Sequence, residues 1–503
     1  MSFLFSNFAA IAVALTASVV VWVFGGIRGD LLPKFVPWLC AFLVEVLVCF
    51  PQRHRYETTY EARARVWRAL KRDPVVWVAV GLFALLLIPF ANNGLCPGCD
   101  AKAIALGLDP RPPLSFLPFC VNRLDHLNVV LWFAVTLLPL TVVRHCLTRR
   151  GKRTVLALIV WNGLGVAVLG FVQAATGAAA PLWADVDGDG ANTFFATFGY
   201  PNMGGDYFTT LFGVSVALWR DCSERVRSER SETDAAKVAG AAGRQFWQMH
   251  YFLSPSAVFF FAALNTFSRA AILLVTTVAI VSFAHVMITT LHRMRKAQRV
   301  LVGIWGGIAF CLIVFFANLF MPKSLQRELD TVETTEVLDR VTGRGQYHVR
   351  VATELWRDHL LFGCGGWGYS HLCVTKMTPE EVKGLQKIGG SNVHNDYLQF
   401  LAEHGVFGFG AMVALVVLLL WPVFRGWKRL VRKVQFKKGA VPRPVQLFAL
   451  PAPAFFLLTA VVATLIHAFG DCPLRSPAVL MFFYIILAAL PGFMPKQDDD
   501  PLN

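Results

Sequence analysis

Apolar segments long enough to cross a lipid bilayer recur along the whole chain, and this feature limits the possible folds more than any other. A membrane-spanning helix needs roughly 17–25 mostly apolar residues. Runs close to that length lie at 7–26, 34–51, 75–91, 124–143, 154–176, 204–219, 250–267, 270–290, 300–321, 400–424, 446–467 and 477–493. Only 16% of the 503 residues are charged, whereas about a quarter are charged in soluble proteins. We therefore predict an all-α membrane protein with about twelve transmembrane helices.

Basic residues collect in every second loop between these runs. Lys and Arg are concentrated at 52–73, 144–153, 220–249, 291–299 and 425–445. The other loops are poorer in them, and the stretch 177–205 contains none. Because cytoplasmic loops are enriched in Lys and Arg, the basic loops and both termini are predicted to be cytoplasmic. The net charge of +15 is then explained by clusters that face anionic lipid headgroups, and no nucleic-acid partner is predicted.

The largest predicted segment outside the membrane is a periplasmic loop at 322–399, between the ninth and tenth spans. Long loops of this kind usually carry function. Part of this loop is predicted to be helical, because Tyr347, Val351, Leu355 and Trp356 recur at helical spacing. The apolar face of such a helix could lie on the membrane surface or pack against the rest of the loop, and the sequence leaves both possibilities open.

Several of the eleven cysteines fall near the predicted outer face. An oxidising compartment permits disulfides there, so Cys364 and Cys373 could link two parts of the large loop. Cys96 and Cys99 form a CPGC motif, but the helix-opening context of a redox dithiol is missing. Whether either pair forms a disulfide stays open at this point.

His394 carries the strongest chemical signal. It lies in a polar patch that follows two glycines and precedes the apolar run at 400–424. A neutral imidazole at the membrane boundary can take a proton from a sugar hydroxyl near pH 7, although a packing or helix-capping role is the alternative. Asn395 and Asp396 could orient the ring or could begin the following helix as caps.

Three arginines are candidates for binding phosphate. Arg269 lies where a very short turn enters an apolar run, and its guanidinium offers a two-pronged fork that suits phosphate oxygens. Extension of the side chain toward the membrane surface is the alternative. Arg340 and Arg344 flank a predicted Gly-rich turn ahead of the helix in the large loop. Backbone amides and two guanidiniums would make a diphosphate cradle there.

A turn before the sixth predicted span supplies further polar side chains. Tyr200 and Asn202 lie on either side of a proline, where they could contact a sugar. Just upstream, Asp185, Asp187 and Asp189 imitate the start of a calcium-binding loop. An alanine occupies the position where such a loop needs a bidentate Glu, so whether these aspartates bind a cation stays open.

Taken in order, these segments resemble those of the O-antigen ligase and O-antigen polymerase family of bacterial envelope enzymes. The segment FGYPNMGGDY resembles the family's Phe-Gly-x-Pro-Asn turn before a span, and SRAAIL is similar to its Ser-Arg segment. The segment HNDYLQFLAEHGVFG is close to its His-Asn-x-Tyr-Leu signature. The large loop follows the family's order of Arg, helix and Gly-rich turn. The resemblance covers roughly residues 155–420.

The resemblance implies a multi-pass glycosyltransferase of the bacterial inner membrane. Its donor would be a glycan on undecaprenyl diphosphate, and its acceptor a hydroxyl of lipid A-core, of another glycan or of a protein. On this basis the chain divides into N-terminal spans at 1–153, an O-antigen ligase-like core at 154–424, and two C-terminal spans with a cytoplasmic tail at 425–503.

The resemblance and the residue chemistry together give roles to individual side chains. His394 is predicted to be the general base, and Arg269 and Arg344 to stabilise the departing diphosphate. Contacts with substrate are expected from Arg340, Asn395, Tyr397, Tyr200 and Asn202. Because guanidiniums can neutralise the leaving group, no metal and no other cofactor is predicted.

Two other functions fit parts of the pattern. A polymerase of O-antigen or exopolysaccharide would use the same donor and differ only in its acceptor. A transporter or flippase of envelope glycolipid would also have many spans with both termini inside. Transporters usually bind their substrates near mid-membrane, whereas the polar candidates here gather on one face.

Overall fold

A computed structural model of the chain describes residues 2–23, 25, 31–54, 56–92, 114, 116–183, 194–232, 250–292, 300, 304, 307, 336–382, 392–438 and 449–495. These residues form α-helices joined by turns and short 3-10 segments, and no β-strand occurs among them. The α-helices are α1 (Ser2–Trp22), α2 (Leu31–Glu45), α3 (Thr59–Arg72), α4 (Pro74–Leu87), α5 (Arg123–Thr141), α6 (Arg149–Ala175), α7 (Pro201–Glu232), α8 (Leu253–Leu264), α9 (Arg269–His292), α10 (Glu336–Asp358), α11 (Gly368–Leu372), α12 (Asp396–Lys438), α13 (Ala452–Gly470) and α14 (Pro477–Ala489). The predicted all-α fold is confirmed for this part of the chain.

Each predicted span contains a described helix, except the run at 300–321, which lies almost wholly outside the described residues. Five of the described helices are long and apolar enough to cross a membrane alone. A sixth candidate is the pair α3 and α4, which bends by 63° at the break between the two helices. The remaining apolar helices are shorter. The chain is therefore a helical protein with several candidate spans, and the number of twelve stays a prediction.

Small residues bring the central helices close together. A Cβ atom added to Gly213 of α7 would lie 2.9 Å from the Cβ of Ala460 in α13. A Cβ atom on Gly205 would lie 2.3 Å from the Cβ of Ala271 in α9. Small side chains allow such close approach between membrane helices. As a result, the start of α9 and most of α13 pack tightly against α7.

Helix α12 is broken at Gly405, and a neighbouring loop fills the break. Gly405 has a φ of +62°, and a Cβ atom there would lie 2.3 Å from the backbone of Leu361. The carbonyls freed by the break accept hydrogen bonds, since Cys364 N–H donates to Ala402 over 3.0 Å and Gly365 N–H donates to Glu403 over 2.8 Å. Glycine is needed at 405 for its conformation and for the approach of the loop.

The described part of the predicted loop at 322–399 has its own small core. Val351 and Leu355 of α10 are buried together with Tyr369 and Val393. Packing against the rest of the loop therefore occupies the apolar face of α10, which is one of the two possibilities the sequence left open.

One expectation for this loop was wrong, and one question that the sequence left open is answered. The Gly-rich turn around Arg344 does not form, because α10 already begins at Glu336 and continues through it. Glycine costs only about 1 kcal/mol inside a helix, and Arg344 and Gln346 beside the glycines are good helix formers. Cys364 and Cys373 are both buried and are not joined by a disulfide.

Candidate functional site

A histidine–aspartate pair lies at one end of the helix bundle, where α7, α12 and α13 meet. His394 lies two residues before the start of α12, and Asp471 immediately follows α13. Nδ1 of His394 lies 3.4 Å from Oδ1 of Asp471. The histidine side chain is 49% exposed and the aspartate side chain 10% exposed. A largely buried carboxylate thus holds one ring nitrogen of an imidazole that is otherwise about half exposed.

Asp471 collects several hydrogen bonds that fix its carboxylate. The Tyr200 hydroxyl donates to both carboxylate oxygens over 3.0 and 3.2 Å, and the side-chain amide of Asn202 also donates to Oδ2. The backbone N–H of Cys472 donates to Oδ1 over 2.7 Å. The Tyr200 hydroxyl in addition lies 3.4 Å from Nδ1 of His394. Both residues of the predicted turn before α7 therefore belong to this site, where they support the aspartate.

The charges of the pair reinforce each other. The hydrogen bond with Asp471 raises the pKa of His394 and outweighs the opposing effect of burial. Burial alone would raise the pKa of Asp471, but the hydrogen bond and charge of His394 and the N–H of Cys472 together lower it. The carboxylate is therefore ionised at neutral pH, and the imidazole is a stronger base than a free histidine.

The backbone at His394 adopts a conformation that is rare for a residue with a side chain. Its φ is +54°, in the left-handed region, where such residues cluster at functional sites. Flanking hydrogen bonds hold it there: Val393 N–H donates to the side chain of Gln399 over 3.0 Å, and Asp396 N–H donates to the Asp471 carbonyl over 3.2 Å. Since Asp471 accepts from Nδ1–H, the proton-accepting lone pair lies on Nε2.

The residues after His394 have structural partners. The side chain of Asn395 accepts from Leu398 N–H over 3.0 Å, so it caps α12. The Tyr397 hydroxyl donates to the Leu465 carbonyl of α13 over 2.6 Å. Asp396 is buried and accepts from Leu474 N–H over 2.8 Å. Of the two possibilities that the sequence left open for Asn395 and Asp396, a structural role at the start of α12 is the one found, and Asp471 is the residue that contacts the histidine ring.

The predicted arginines are described to different extents. Arg269 is exposed at the first position of α9, and Ala271 two residues later packs against Gly205 near the start of α7. It therefore lies at the same end of α7 as Tyr200. Arg340 and Arg344 belong to α10, but their side chains lie outside the described residues.

A second, fully buried ion pair supports the turn that carries Asp471. Arg475 is 1% exposed and donates two-pronged hydrogen bonds of 3.0–3.1 Å to Glu403. Its guanidinium lies 4.2 Å from the ring centroid of Trp367. Removing either charge would leave the other buried without its counter-ion. Glu403 lies beside the break in α12, so this pair ties the turn to the broken helix.

Three side chains at this site, one of them His394, place potential metal-ligand atoms close together. Atoms of His394, Asp471 and Cys472 lie within 4.8 Å of one another. Burial raises the pKa of the Cys472 thiol, which keeps it protonated, and the Asp471 oxygens already accept several hydrogen bonds. This set of donor atoms is therefore unfavourable for binding a divalent cation. Asp185, Asp187 and Asp189 lie outside the described residues.

Sequence reasoning missed Asp471, Arg475 and Glu403. The first two lie in the segment DCPLR between the last two predicted spans, on the side predicted for His394. Charged residues in so short a turn at the membrane boundary are the signal that could have identified them. Glu403 lies within an apolar run, where an acidic residue usually has a partner.

Comparison with known proteins connects this site to a family. Residues 255–413 match the family model described as O-Antigen ligase. The matched segment includes Arg269, Arg344 and His394, whereas Tyr200 and Asp471 lie outside it. No curated protein matches the chain.

Proposed function

We propose that this chain, a member of the O-antigen ligase family by its domain at residues 255–413, transfers a glycan from undecaprenyl diphosphate to an acceptor hydroxyl at the periplasmic face of the inner membrane. The family match supports ligase-like glycan transfer, while the donor, the acceptor and the side of the membrane are parts of the proposal. The observation that carries it is the accessible His394 backed by the buried Asp471.

His394 is the general base in this proposal. The acceptor hydroxyl approaches Nε2, and its oxygen attacks the anomeric carbon of the donor sugar. As the new carbon–oxygen bond forms, the bond to the diphosphate oxygen breaks and the hydroxyl proton passes to Nε2. The ionised Asp471 stabilises the imidazolium that results. A direct displacement of this kind inverts the anomeric centre.

Arg269 and Arg344 receive the leaving group in this proposal. The diphosphate departs with additional negative charge, and guanidiniums placed in advance stabilise that charge at no cost of reorganisation. Arg269 stands at the first position of α9, so the partial positive charge of the helix N-terminus adds to the charge of its guanidinium. Arg344 precedes His348 by one helical turn in α10, and Arg340 lies one turn earlier. Because these guanidiniums can stabilise the departing diphosphate without a metal ion, we expect metal chelators to leave the rate unchanged.

The test is a transfer assay with purified protein in lipid nanodiscs. The donor is a glycan on undecaprenyl diphosphate, the acceptor is lipid A-core, and release of the lipid diphosphate is measured together with the glycosylated product. We expect His394→Ala to lower the rate by about 10²–10⁴-fold and Arg269→Lys by about 10–10³-fold.

A matched control uses another histidine of the same loop. His359 follows α10 and contacts Phe119 at a ring-centroid distance of 5.0 Å, so His359→Ala should keep near-normal activity. Full activity of a correctly inserted His394→Ala protein would disprove the role of the base. Full activity of Arg269→Lys would show that no two-pronged phosphate contact forms there.

The acceptor separates a ligase from a polymerase. Offering a second lipid-linked glycan in place of lipid A-core in the same assay tests the alternative directly. Product on lipid A-core supports the ligase, whereas elongation of the lipid-linked glycan alone would assign the chain to the polymerases.

A further inference from the structure

A second histidine lies beside His394 and has no role in the mechanism above. His348 of α10 is 6% exposed, and its ring centroid lies 6.3 Å from that of His394, with 65° between the ring planes. The buried contacts of Val351 and Leu355 hold α10 in this position. The edges of two imidazoles therefore border the same space at the end of the bundle.

Tyr369 occupies one ring nitrogen of His348. Its hydroxyl lies 2.7 Å from Nδ1 of His348 and donates to the His348 carbonyl over 3.5 Å. Nδ1 is thereby paired, and the second ring nitrogen, Nε2, is left for a ligand. Within the described part of the chain, no group is hydrogen-bonded to Nε2.

His348 is also uncharged at neutral pH. Burial lowers its pKa to about 4, and the positive charge of His394 contributes in the same direction, against a small opposing effect of Glu381. The other groups that face it are the uncharged hydroxyls of Tyr369 and Tyr347. A neutral imidazole nitrogen suits an uncharged hydroxyl, which can both donate and accept, whereas a diphosphate would call for a cation.

We propose that His348 binds the acceptor sugar, with its Nε2 forming a hydrogen bond with a sugar hydroxyl next to the one that His394 deprotonates. This inference rests on the proposed glycan transfer and names the side of the site that the acceptor occupies. The two histidines then have separate roles. His394 accepts the proton from the reacting hydroxyl, and His348 binds the same sugar through a neighbouring oxygen.

The experiment measures KM for the donor and for the acceptor separately in the nanodisc assay. We expect His348→Phe to raise the KM for lipid A-core about 3–10-fold, the effect of one neutral hydrogen bond, and to leave the KM for the undecaprenyl-diphosphate glycan unchanged. The amide of His348→Gln can still form a hydrogen bond and should recover part of the loss. Tyr369→Phe removes the partner of Nδ1 that orients the ring and should raise the acceptor KM by a smaller factor.

The variants are checked against His359→Phe, which lies on the same loop outside the site. A His348→Phe protein that unfolds at the temperature of the unaltered protein and keeps its acceptor KM would overturn the inference, as would a change in the donor KM alone. Equal acceptor KM in the Gln and Phe variants would also overturn it. If the unaltered protein transfers no glycan, the proposed function itself fails, and that result is distinguishable from all of these.

Discussion

His394 owes its basicity to Asp471, and this dependence can be measured as a pH profile. The base must be neutral to act, so activity rises as pH passes upward through the pKa of His394, which lies above its ordinary value because of Asp471. In Asp471→Asn the interaction that raises the pKa of His394 is lost, so the midpoint of the rise in kcat/KM should move to lower pH. The rate on the plateau should fall by on the order of 10²–10⁴-fold, since an amide does not stabilise the imidazolium.

The matched control is Asp125→Asn, which alters a second histidine–aspartate pair elsewhere. Asp125 lies 2.8 Å from His371 in that pair, outside the candidate site. An unchanged midpoint in Asp471→Asn, or an equal shift in Asp125→Asn, would contradict the dependence of His394 on Asp471.

The site could be predicted from sequence only where its residues stand in a recognisable local pattern. His394, Tyr200 and Asn202 fall in such segments and lie together in the structure. Asp471 follows His394 by 77 positions, and only the packing of α12 against α13 brings the two together. A sequence pattern identifies side chains near one another in the chain, and it carries no signal for a contact made by tertiary packing.

At the level of single helices, the break in α12 should determine how firmly the loop with Trp367 is held. Gly405→Ala would force an alanine into a φ of +62° and press its Cβ against the Leu361 backbone. We expect the substitution to cost at least about 2 kcal/mol, seen as a lower midpoint of thermal unfolding in nanodiscs.

Gly410 provides the control within the same helix. A Cβ atom there would meet nothing within 4 Å, so Gly410→Ala should be neutral or stabilise the protein by about 0.5–1 kcal/mol. Equal unfolding midpoints for the two variants would mean that the break at Gly405 does not contribute to stability.

Hydropathy predicted the described helices well, because burial in lipid demands long apolar runs whatever the tertiary packing. The local breaks were harder to predict. The start of α10 at Glu336 and the bend at Gly405 depend on whether neighbouring segments satisfy backbone groups. Gly343, Gly345 and Gly405 look alike in sequence, yet the first two lie within α10, whereas the backbone of Leu361 packs against Gly405 at the break in α12.

At the level of the whole molecule, the positions of the ends of α9 and α13 show at which end of the bundle the chain leaves each helix. Helix α9 begins beside the start of α7, where Ala271 meets Gly205. Toward its other end, the His285 ring stacks on Phe455 at the start of α13, with 4.3 Å between ring centroids, and Asp471 follows the end of α13. The chain therefore leaves α9 at the end opposite the site, and it is back at the site by His394.

We predict that the apolar run at 300–321 crosses the membrane and returns the chain to the end of the bundle that carries the site. We expect alkaline phosphatase fused after Ala297 to be inactive in cells and the same enzyme fused after Thr335 to be active, because it folds only in the periplasm, where its disulfides form. Green fluorescent protein fused at the same positions, as an independent reporter of the cytoplasmic side, should give the opposite pattern. Equal signals at the two positions would mean that 300–321 does not cross, and His394 would then lie on the side of the basic loops, where a periplasmic acceptor cannot reach it.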